Sequence, residues 1–502
     1  MIWSFLCYLV LLLGLGLLAA RRTRTLKGFL LADRSLGPWI TALSAEATAM
    51  SGWLLIAFPA KAFTHGLSTI WVGLACVLGD ALNWLSVSKR LREQTERLRA
   101  LTLPEFLEQR FSKEGGYAVQ LVATSGIMVF MLLYLWAQFV AAGKVMGAIL
   151  DPLDYPEACV LSALIIILYT LMGGFRAVAW TDFLQGITIL FALVLLPLVC
   201  LSRIGGWSGL MEQLSQAAAE MPESSSVNLD HWFGGLTGLI LFSFLFEDAG
   251  VGAGYVGQPH ISARFMAIRK TAHIRKAFVI SILWTTVTCA GSVLLGLTSH
   301  YWYRLGTGGA VHSRGGEMPP FDVEQIMPMM ARQVLDPWLA GILVSAMMAA
   351  IMSSADSYLL SATSSMTRDV YHRIFRQTAS EAELLRISRV VTVSLGVGAL
   401  LLAVSTDPWS PESTVYRLVL YAWSGLSGCF TAPVLMALFY RGMTRSGCLF
   451  GIICGGTTSL LWHHFPPLGF ATYELIPAVM VSALAIWWVS RLGGNSSHHL
   501  RS

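Results

Sequence analysis

Charged side chains are scarce in this chain: 29 acidic and 34 basic residues among 502, or 13%. A soluble domain carries roughly 25%. With 55% of residues hydrophobic, too few polar groups remain to cover a surface in water, which excludes an ordinary soluble globular protein. Long polar stretches are also missing. Apolar runs recur along almost the whole length and leave no room for a separate soluble domain, so the usual length-based prior of about three domains does not apply. The eight cysteines show no CxxC and no metal spacing, which removes the sequence basis for a zinc or dithiol centre. Most lie inside apolar runs and read as small core hydrophobes. No GxSxG, HExxH or Walker sequence occurs, so nothing points to an enzyme, to a cofactor or to ATP-driven pumping. Residues 252–257 match GxGxxG formally, but they follow no strand and sit inside an apolar run, which rules out a dinucleotide site. The net charge of +5 comes from short basic clusters between apolar runs, as in cytoplasmic loops, so nucleic acid is not an expected partner.

What the chain does have is a succession of apolar segments near the roughly 20 residues that a spanning helix needs. Thirteen are expected: 2–20, 38–63, 66–88, 117–148, 156–174, 179–201, 231–259, 277–303, 337–366, 387–404, 416–439, 446–464 and 472–490. The fold class expected is an all-α polytopic membrane protein. With the N-terminus outside and the C-terminus cytoplasmic, 27 of the 34 basic residues fall in inside loops or the tail, as the positive-inside rule requires. The first run lacks a basic region before it and carries Arg21, Arg22 and Arg24 after it, which favours a retained helix over a signal peptide. The expected location is the plasma (inner) membrane.

Two segments are unusual. The second has a small, polar middle, Ser44 to Gly52, with Glu46 at depth. The seventh carries Gly250, Gly252 and Gly254 in mid-run, with Pro259 after them. Both read as helices that break inside the membrane, and each opens a block of five spans. Interrupted helices in corresponding positions of two halves point to a transporter's midplane site. Freed N–H groups at a half-helix attract carboxylates, and freed carbonyls coordinate cations.

The ninth segment places Ser353, Asp356 and Ser357 at i, i+3 and i+4, on one helix face. Hydroxyl, carboxylate and carbonyl oxygens suit a hard cation, and a carboxylate at membrane depth is rarely idle. The alternative is small residues packed between helices. Asp182 is either a helix-terminal residue at the wet interface or a cation ligand. Glu46, Glu247 and Asp248 are candidates for a proton site, a ligand for a cationic solute, or a carboxylate held by backbone donors. Tyr255 beside the glycines and Tyr134 in mid-span are candidate cavity residues.

At these residues the chain resembles the sodium:solute symporter family, and within it the sodium/proline symporter branch. The resemblance runs from Arg34-Ser-Leu-Gly-Pro38 to about residue 490 and is carried by Met50-Ser-Gly-Trp-Leu-Leu55, Ala179-Trp-Thr-Asp182, Gly254-Tyr-Val-Gly-Gln-Pro-His260 with Ala263-Arg-Phe-Met-Ala267, Met352-Ser-Ser354 and Tyr421-Ala-Trp423. It implies a LeuT-type inverted repeat (5+5), with one helix before it and two after. It implies sodium held by the carbonyls of Ala47, Met50 and Ala350 and the hydroxyls of Ser353 and Ser354. A second cation position would use Asp182, Ser353, Asp356 and Ser357, and the solute would meet Ser51, Gly52, Tyr134, Gly252, Tyr255 and Pro259. Two departures stand out. Ala49 occupies the position before Met50 where the branch usually has Asp, and Val251 stands where it usually has Trp.

The organisation expected is an extra helix and loop over 1–37, a first repeat over 38–201, an external loop over 202–230, a second repeat over 231–439, and two final helices with a short tail over 440–502. The function this implies is sodium-coupled import of a small organic solute by alternating access, proline first. A sodium or proton symporter for another amino acid, a vitamin-like acid or a cationic amine is the alternative, and a non-transporting sensor a further one. The partners expected are the solute, sodium and the lipid bilayer; the sequence leaves the oligomeric state open.

Overall fold

The computed structural model describes residues 2–20, 26–111, 116–149, 153–219, 228–234, 250–306, 322–410, 413–465 and 473–498. The described residues are overwhelmingly helical. In chain order the helices are α1 (Ile2–Ala20), α2 (Leu26–Leu31), α3 (Pro38–Gly52), α4 (Phe58–His65), α5 (Ile70–Asn83), α6 (Lys89–Arg97), α7 (Leu103–Gln109), α8 (Ala118–Ile149), α9 (Tyr155–Arg203) and α10 (Gly206–Ala219). After these come α11 (Pro259–Ala267), α12 (Ile274–Gly306), α13 (Ile326–Val334), α14 (Pro337–Ser365), α15 (Glu381–Val404), α16 (Val415–Phe439), α17 (Arg445–His464) and α18 (Leu475–His498).

Twelve of the thirteen expected segments coincide with these helices. The seventh lies mostly outside the described residues; its start, 231–234, is turn, and its end is described from Gly250. Among the described residues eight stretches are long and apolar enough to cross a membrane, and two shorter apolar helices, Trp3–Gly16 and Tyr155–Leu171, accompany them. Glycines with left-handed backbone mark two of the boundaries between spans. Gly66 at φ +66° stops α4 before α5, and Gly174 at φ +60° divides α9 into two crossings. A Cβ at either would also collide, with the Leu229 backbone or the Phe29 ring, so only glycine suits these corners.

Burial separates inner from outer helices. The hydropathic windows of Pro337–Phe375 and Val415–Phe439 are 83% and 89% buried, against 33% for Glu381–Val404 and 28% for Leu475–Leu492. Helices α14 and α16 are therefore the heart of the molecule, and α15 and α18 show most of their surface to the surroundings. The inner helices are rich in Ala, Ser and Gly, which lets backbones approach closely. Polar caps start many of the helices: Thr102, Asp336, Ser380, Thr414 and Thr444 each accept a backbone N–H of the first turn, which satisfies donors that a helix cannot satisfy itself.

Candidate functional site

The second span breaks at Ser51, whose φ of 53° and ψ of −168° lie outside the helical region. A left-handed φ is costly for a residue with a Cβ, and here the surroundings hold it. The Ser51 hydroxyl accepts the Trp53 N–H at 3.2 Å, and the Gly52 N–H donates to Gln138 Oε1 at 3.2 Å. A π turn, Trp53–Ala57, then leads into α4; such turns recur at functional sites. The break deprives the Thr48 carbonyl of its usual i+4 partner, because the Gly52 N–H turns to Gln138. Hydroxyls of α14 reach this stretch: Ser354 Oγ donates to Thr48 O at 2.9 Å, Tyr358 to Thr48 O at 3.3 Å, and Ser353 Oγ to Ala47 O at 3.0 Å. Both serines also reach Ala350 O, each at 3.1 Å. Ala47, Ala350, Ser353 and Ser354 thus form one buried knot of oxygens. The Met50 carbonyl instead accepts from the Trp53 N–H.

The seventh span also breaks. The helix that includes Gly250–Ala253 stops, a 3₁₀ turn runs over Tyr255–Gly257, Gln258 is extended (φ −94°, ψ 110°), and α11 restarts at Pro259. Proline suits that first position because it has no N–H to satisfy. Helix α16 adds a second donor to carbonyls of this turn: Trp423 Nε1 donates to Val251 O at 3.1 Å, and Ser427 Oγ to Gly254 O at 3.1 Å, beside the backbone N–H groups of Gly254 and Gly257. Gln258 Nε2 ties the turn back to Trp423 O at 3.2 Å.

Between the breaks lies a small cavity lined by Ala49, Met50, Trp53, Cys76, Tyr134, Val251, Tyr255, Val419, Leu420 and Trp423. Its wall is apolar and aromatic and contains no ionisable carboxyl or amine. Trp53 stacks on Phe58 with ring centres 4.5 Å apart, and Tyr255 meets Trp423 edge-on at 5.2 Å. Of the six residues expected around the solute, Tyr134 and Tyr255 line this space. Ser51 and Gly52 form the backbone break beside it. Gly252 packs against α5 so tightly that a Cβ would lie 2.2 Å from Ala75 O. Pro259 lines a different hollow, together with Leu103, Phe175, Ser361 and Ser365. Rings of Tyr134, Tyr358 and His260, with neighbouring centres 4.0 and 4.6 Å apart, lie between the two spaces along α8, α14 and α11.

Asp182, Asp356 and Ser357 meet a basic residue. Arg264 on α11, 1% exposed, donates from Nη2 to Asp182 Oδ2 at 3.0 Å and to Thr48 Oγ1 at 2.9 Å. Its Nη2 also donates to Ser357 Oγ, its Nε to Ser44 Oγ at 3.1 Å, and its Nη1 to His260 O at 2.9 Å. Ser357 Oγ donates in turn to Asp356 Oδ1 at 3.2 Å. Asp182 Oδ1 and Asp356 Oδ2 are buried without partners. One carboxyl thus pairs directly with the guanidinium and a second is linked to it through Ser357, each with an acceptor oxygen to spare.

Glu46 is buried on α3, where Ser281, Thr285 and Asp80 face it. Glu247 and Asp248 lie outside the described residues. Arg264 and Trp423 stand inside motifs that carry the family resemblance, yet residue type alone assigned them no role. Asp80 was detectable by the same rule that singled out Glu46, a carboxylate inside an apolar run. Cys76, Val419 and Leu420 give no sequence signal that separates them from ordinary packing.

A sequence profile of the sodium:solute symporter family matches residues 29–455. The chain is 37% identical over 484 residues to the high-affinity proline transporter PutP of Bacillus subtilis, covering 96% of each protein. It is 35% identical over 496 residues to the sodium/proline symporter of Escherichia coli, covering 98% of this chain and 93% of that one. A solved structure of a Na+-coupled sialic acid symporter in a substrate-bound outward-open state superposes with a TM-score of 0.77 over 97% of each chain, at 18% identity.

Proposed function

The chain belongs to the sodium:solute symporter family, and from that premise we propose that it is a carrier, not an enzyme, which imports proline together with sodium by alternating access. It is a multi-pass membrane protein of the LeuT fold class, and sodium is its coupling ion. Support for proline comes from relatives named as proline transporters and from a small cavity whose only strong polar features are backbone poles at two helix breaks. A zwitterion suits such poles, because half-helix N–H groups attract its carboxylate. An apolar ring of the solute suits Tyr134, Tyr255 and Trp423.

Sodium in this reading displaces the hydroxyl–carbonyl hydrogen bonds of the oxygen knot, and the hydroxyls keep their hydrogens and turn them away from the ion. Ser353 and Ser354, the Ala47 and Ala350 carbonyls and the Met50 carbonyl would surround it. The ion would bind only when α14 lies against the broken α3, which makes sodium and solute favour the same arrangement. Asp182, Asp356 and Ser357 would form a second cation position. There Arg264 neutralises one carboxylate and leaves a single negative charge for a monovalent ion. The unpartnered oxygens of Asp182 and Asp356 support that reading.

The repeats are proposed to span 38–201 and 231–439, flanked by 1–37, 202–230 and 440–502. The N-terminus is outside and the C-terminus cytoplasmic. The hollow beside Pro259 and Ser361 then faces the cytoplasm, since the basic stretch from Arg264 to Lys276 follows it. The observation that carries the function is the convergence of both helix breaks on one cavity beside the serine–carbonyl knot. Uptake of a solute panel into proteoliposomes tests it. Proline accumulation driven by an inward sodium gradient and abolished without sodium is the expected result. Accumulation of another solute in its place would remove proline and keep the carrier.

A further inference from the structure

One buried side chain at the seventh-span break belongs neither to the sodium knot nor to the bonds around Arg264. His260, the second residue of α11, is fully buried. Among the described residues neither of its ring nitrogens meets a hydrogen-bond partner. Its ring contacts are aromatic: it meets Tyr358 of α14 edge-on at 4.6 Å and lies 6.4 Å from Trp423 of α16. Trp423 lines the solute cavity, and Pro259, the residue before His260, lines the second hollow. The imidazole therefore stands in the wall between the two spaces. Two further buried polar atoms beside the same turn lack partners, Gln258 Oε1 and Thr431 Oγ1. Thr431 Oγ1 flanks the turn so closely that a Cβ on Gly257 would lie 2.5 Å from it.

Packing alone does not account for this residue. A buried nitrogen left unpaired costs stability, and a phenylalanine ring would fill the same place without that cost. The two nitrogens are thus idle in this arrangement and find their use in another. Their chemistry narrows what that use is. An uncharged imidazole offers one N–H donor and one bare nitrogen acceptor. A zwitterionic amino acid needs that combination, because its carboxylate accepts and its ammonium donates. The placement agrees. The Tyr134 ring stacks 4.0 Å from Tyr358, and Tyr358 meets His260, so a solute passing from the cavity to the hollow has to part these three rings. His260 rides on α11, which begins at the break. Movement of α11 draws the imidazole away from Tyr358 and turns it toward the route that opens.

We propose that His260 is the central residue of a second, transient solute site, which takes a zwitterionic amino acid on the hollow side of the ring wall after α11 has moved and before the solute leaves. One ring nitrogen donates to the carboxylate and the other accepts from the ammonium. Gln258 Oε1 and Thr431 Oγ1 add an acceptor and a hydroxyl beside the same turn. No charge on the ring changes and no bond is made or broken. While the rings of Tyr134, Tyr358 and His260 lie against one another the site does not exist, so the solute meets it only on the way out. A solute with a carboxylate and no ammonium satisfies one nitrogen and leaves the other unpaired, which makes the site selective for zwitterions.

The proposal rests on the reading of the chain as an amino-acid carrier, and its test has two arms. Right-side-out and inside-out membrane vesicles carrying the full chain, with equal sodium on both sides, give the half-saturation of labelled proline from the outer and the inner face. His260→Phe keeps a ring and deletes both nitrogens; it is expected to raise the inner value about tenfold relative to the outer one. His260→Gln keeps a donor and an acceptor and is expected to recover part of that ratio. An unchanged ratio in His260→Phe, or no recovery in His260→Gln, overturns the proposal. The second arm needs no solute. Thermal unfolding of the purified protein is expected to leave His260→Phe at or above the parent's melting temperature, because two unpaired buried nitrogens disappear. A marked fall ties those nitrogens to the fold and also overturns the proposal. A parent that moves no zwitterionic amino acid refutes the amino-acid reading and this site with it, whereas a parent that moves one with no shift in His260→Phe refutes the site alone.

Discussion

Removal of the Arg264 guanidinium offers a direct test of how the second half of the broken seventh span is held against its neighbours. Arg264 ties α11, the second half of the broken seventh span, to α3 through Ser44 and Thr48, to α9 through Asp182 and to α14 through Ser357. Arg264→Met keeps much of the side chain's length and deletes all of these bonds. Both partners of the ion pair are buried, at 1% and 0% exposure, and breaking such a pair from one side costs about 3–5 kcal/mol. That cost falls on the closed arrangement. Once α11 swings away, Asp182 meets water and the penalty largely disappears. A shift of about 3 kcal/mol toward the open state corresponds to roughly a hundredfold in population. The assay is thiol labelling of Ser361→Cys, which lines the hollow beside Pro259, measured without sodium against the labelling of the chain's own eight cysteines. Labelling is expected to accelerate by about tenfold to a hundredfold in Arg264→Met. It is expected to fall back toward the parent rate when Asp182→Leu is added, because replacing both charges by apolar groups is often nearly neutral. No acceleration in the single variant, or none of the recovery in the double, would refute the latch.

Ser353→Ala removes a hydroxyl from the sodium knot; the sodium concentration for half-maximal uptake is expected to rise at least tenfold, and an unchanged value counts against the site. Asp356→Asn is expected to weaken the sodium dependence of uptake more than the uptake itself at saturating sodium, read from the same titration. Gly254→Ala would place a Cβ 2.1 Å from Trp423 Nε1, so uptake is expected to be lost while Gly14→Ala, in open space, behaves as the parent. Lys144 Nζ pairs with Glu324 at 2.6 Å and Asp322 at 2.9 Å, and burial pushes the Glu324 carboxyl above the ordinary carboxylate range. Lys144→Met removes the charge that favours ionised Glu324. Its destabilisation is expected to be about 3 kcal/mol where Glu324 would be ionised and to shrink as acid protonates that carboxyl. Thermal unfolding of parent and variant across pH checks the sign.

The helical framework was readable because the bilayer sets a length and a composition that few other structures share. The breaks were readable for a related reason. Glycine and polar residues inside an apolar run conflict with helix and lipid alike, so their presence demands a local explanation. Ser353 was legible as an oxygen on a helix face and Ser354 through the family resemblance, and the structure supplies what the pattern lacked, the Ala47 and Thr48 carbonyls that these hydroxyls meet. Arg264 was not legible in this sense. Its number falls in a basic loop by the orientation rule, whereas the fold turns its side chain inward to Asp182. No periodicity distinguishes that from an arginine facing water. The cavity wall was equally hidden, since Val419, Leu420 and Cys76 differ from lipid-facing neighbours only by the direction in which a helix happens to turn.

The buried ion pairs follow one rule. A charge inside a membrane protein needs a partner: Asp182 is answered by Arg264, and Glu324 by Lys144. Both pairs bridge segments distant in sequence, so each resists separation of the segments it joins. Breaking such a pair from one side strands a buried charge, whereas removing both partners does not. The second pair tests this logic independently of the first. Adding Glu324→Gln to Lys144→Met is expected to recover part of the lost unfolding temperature. If the double variant melts no higher than the single one, the stranded carboxylate is not the source of the cost, and the recovery expected when Asp182→Leu joins Arg264→Met loses its footing.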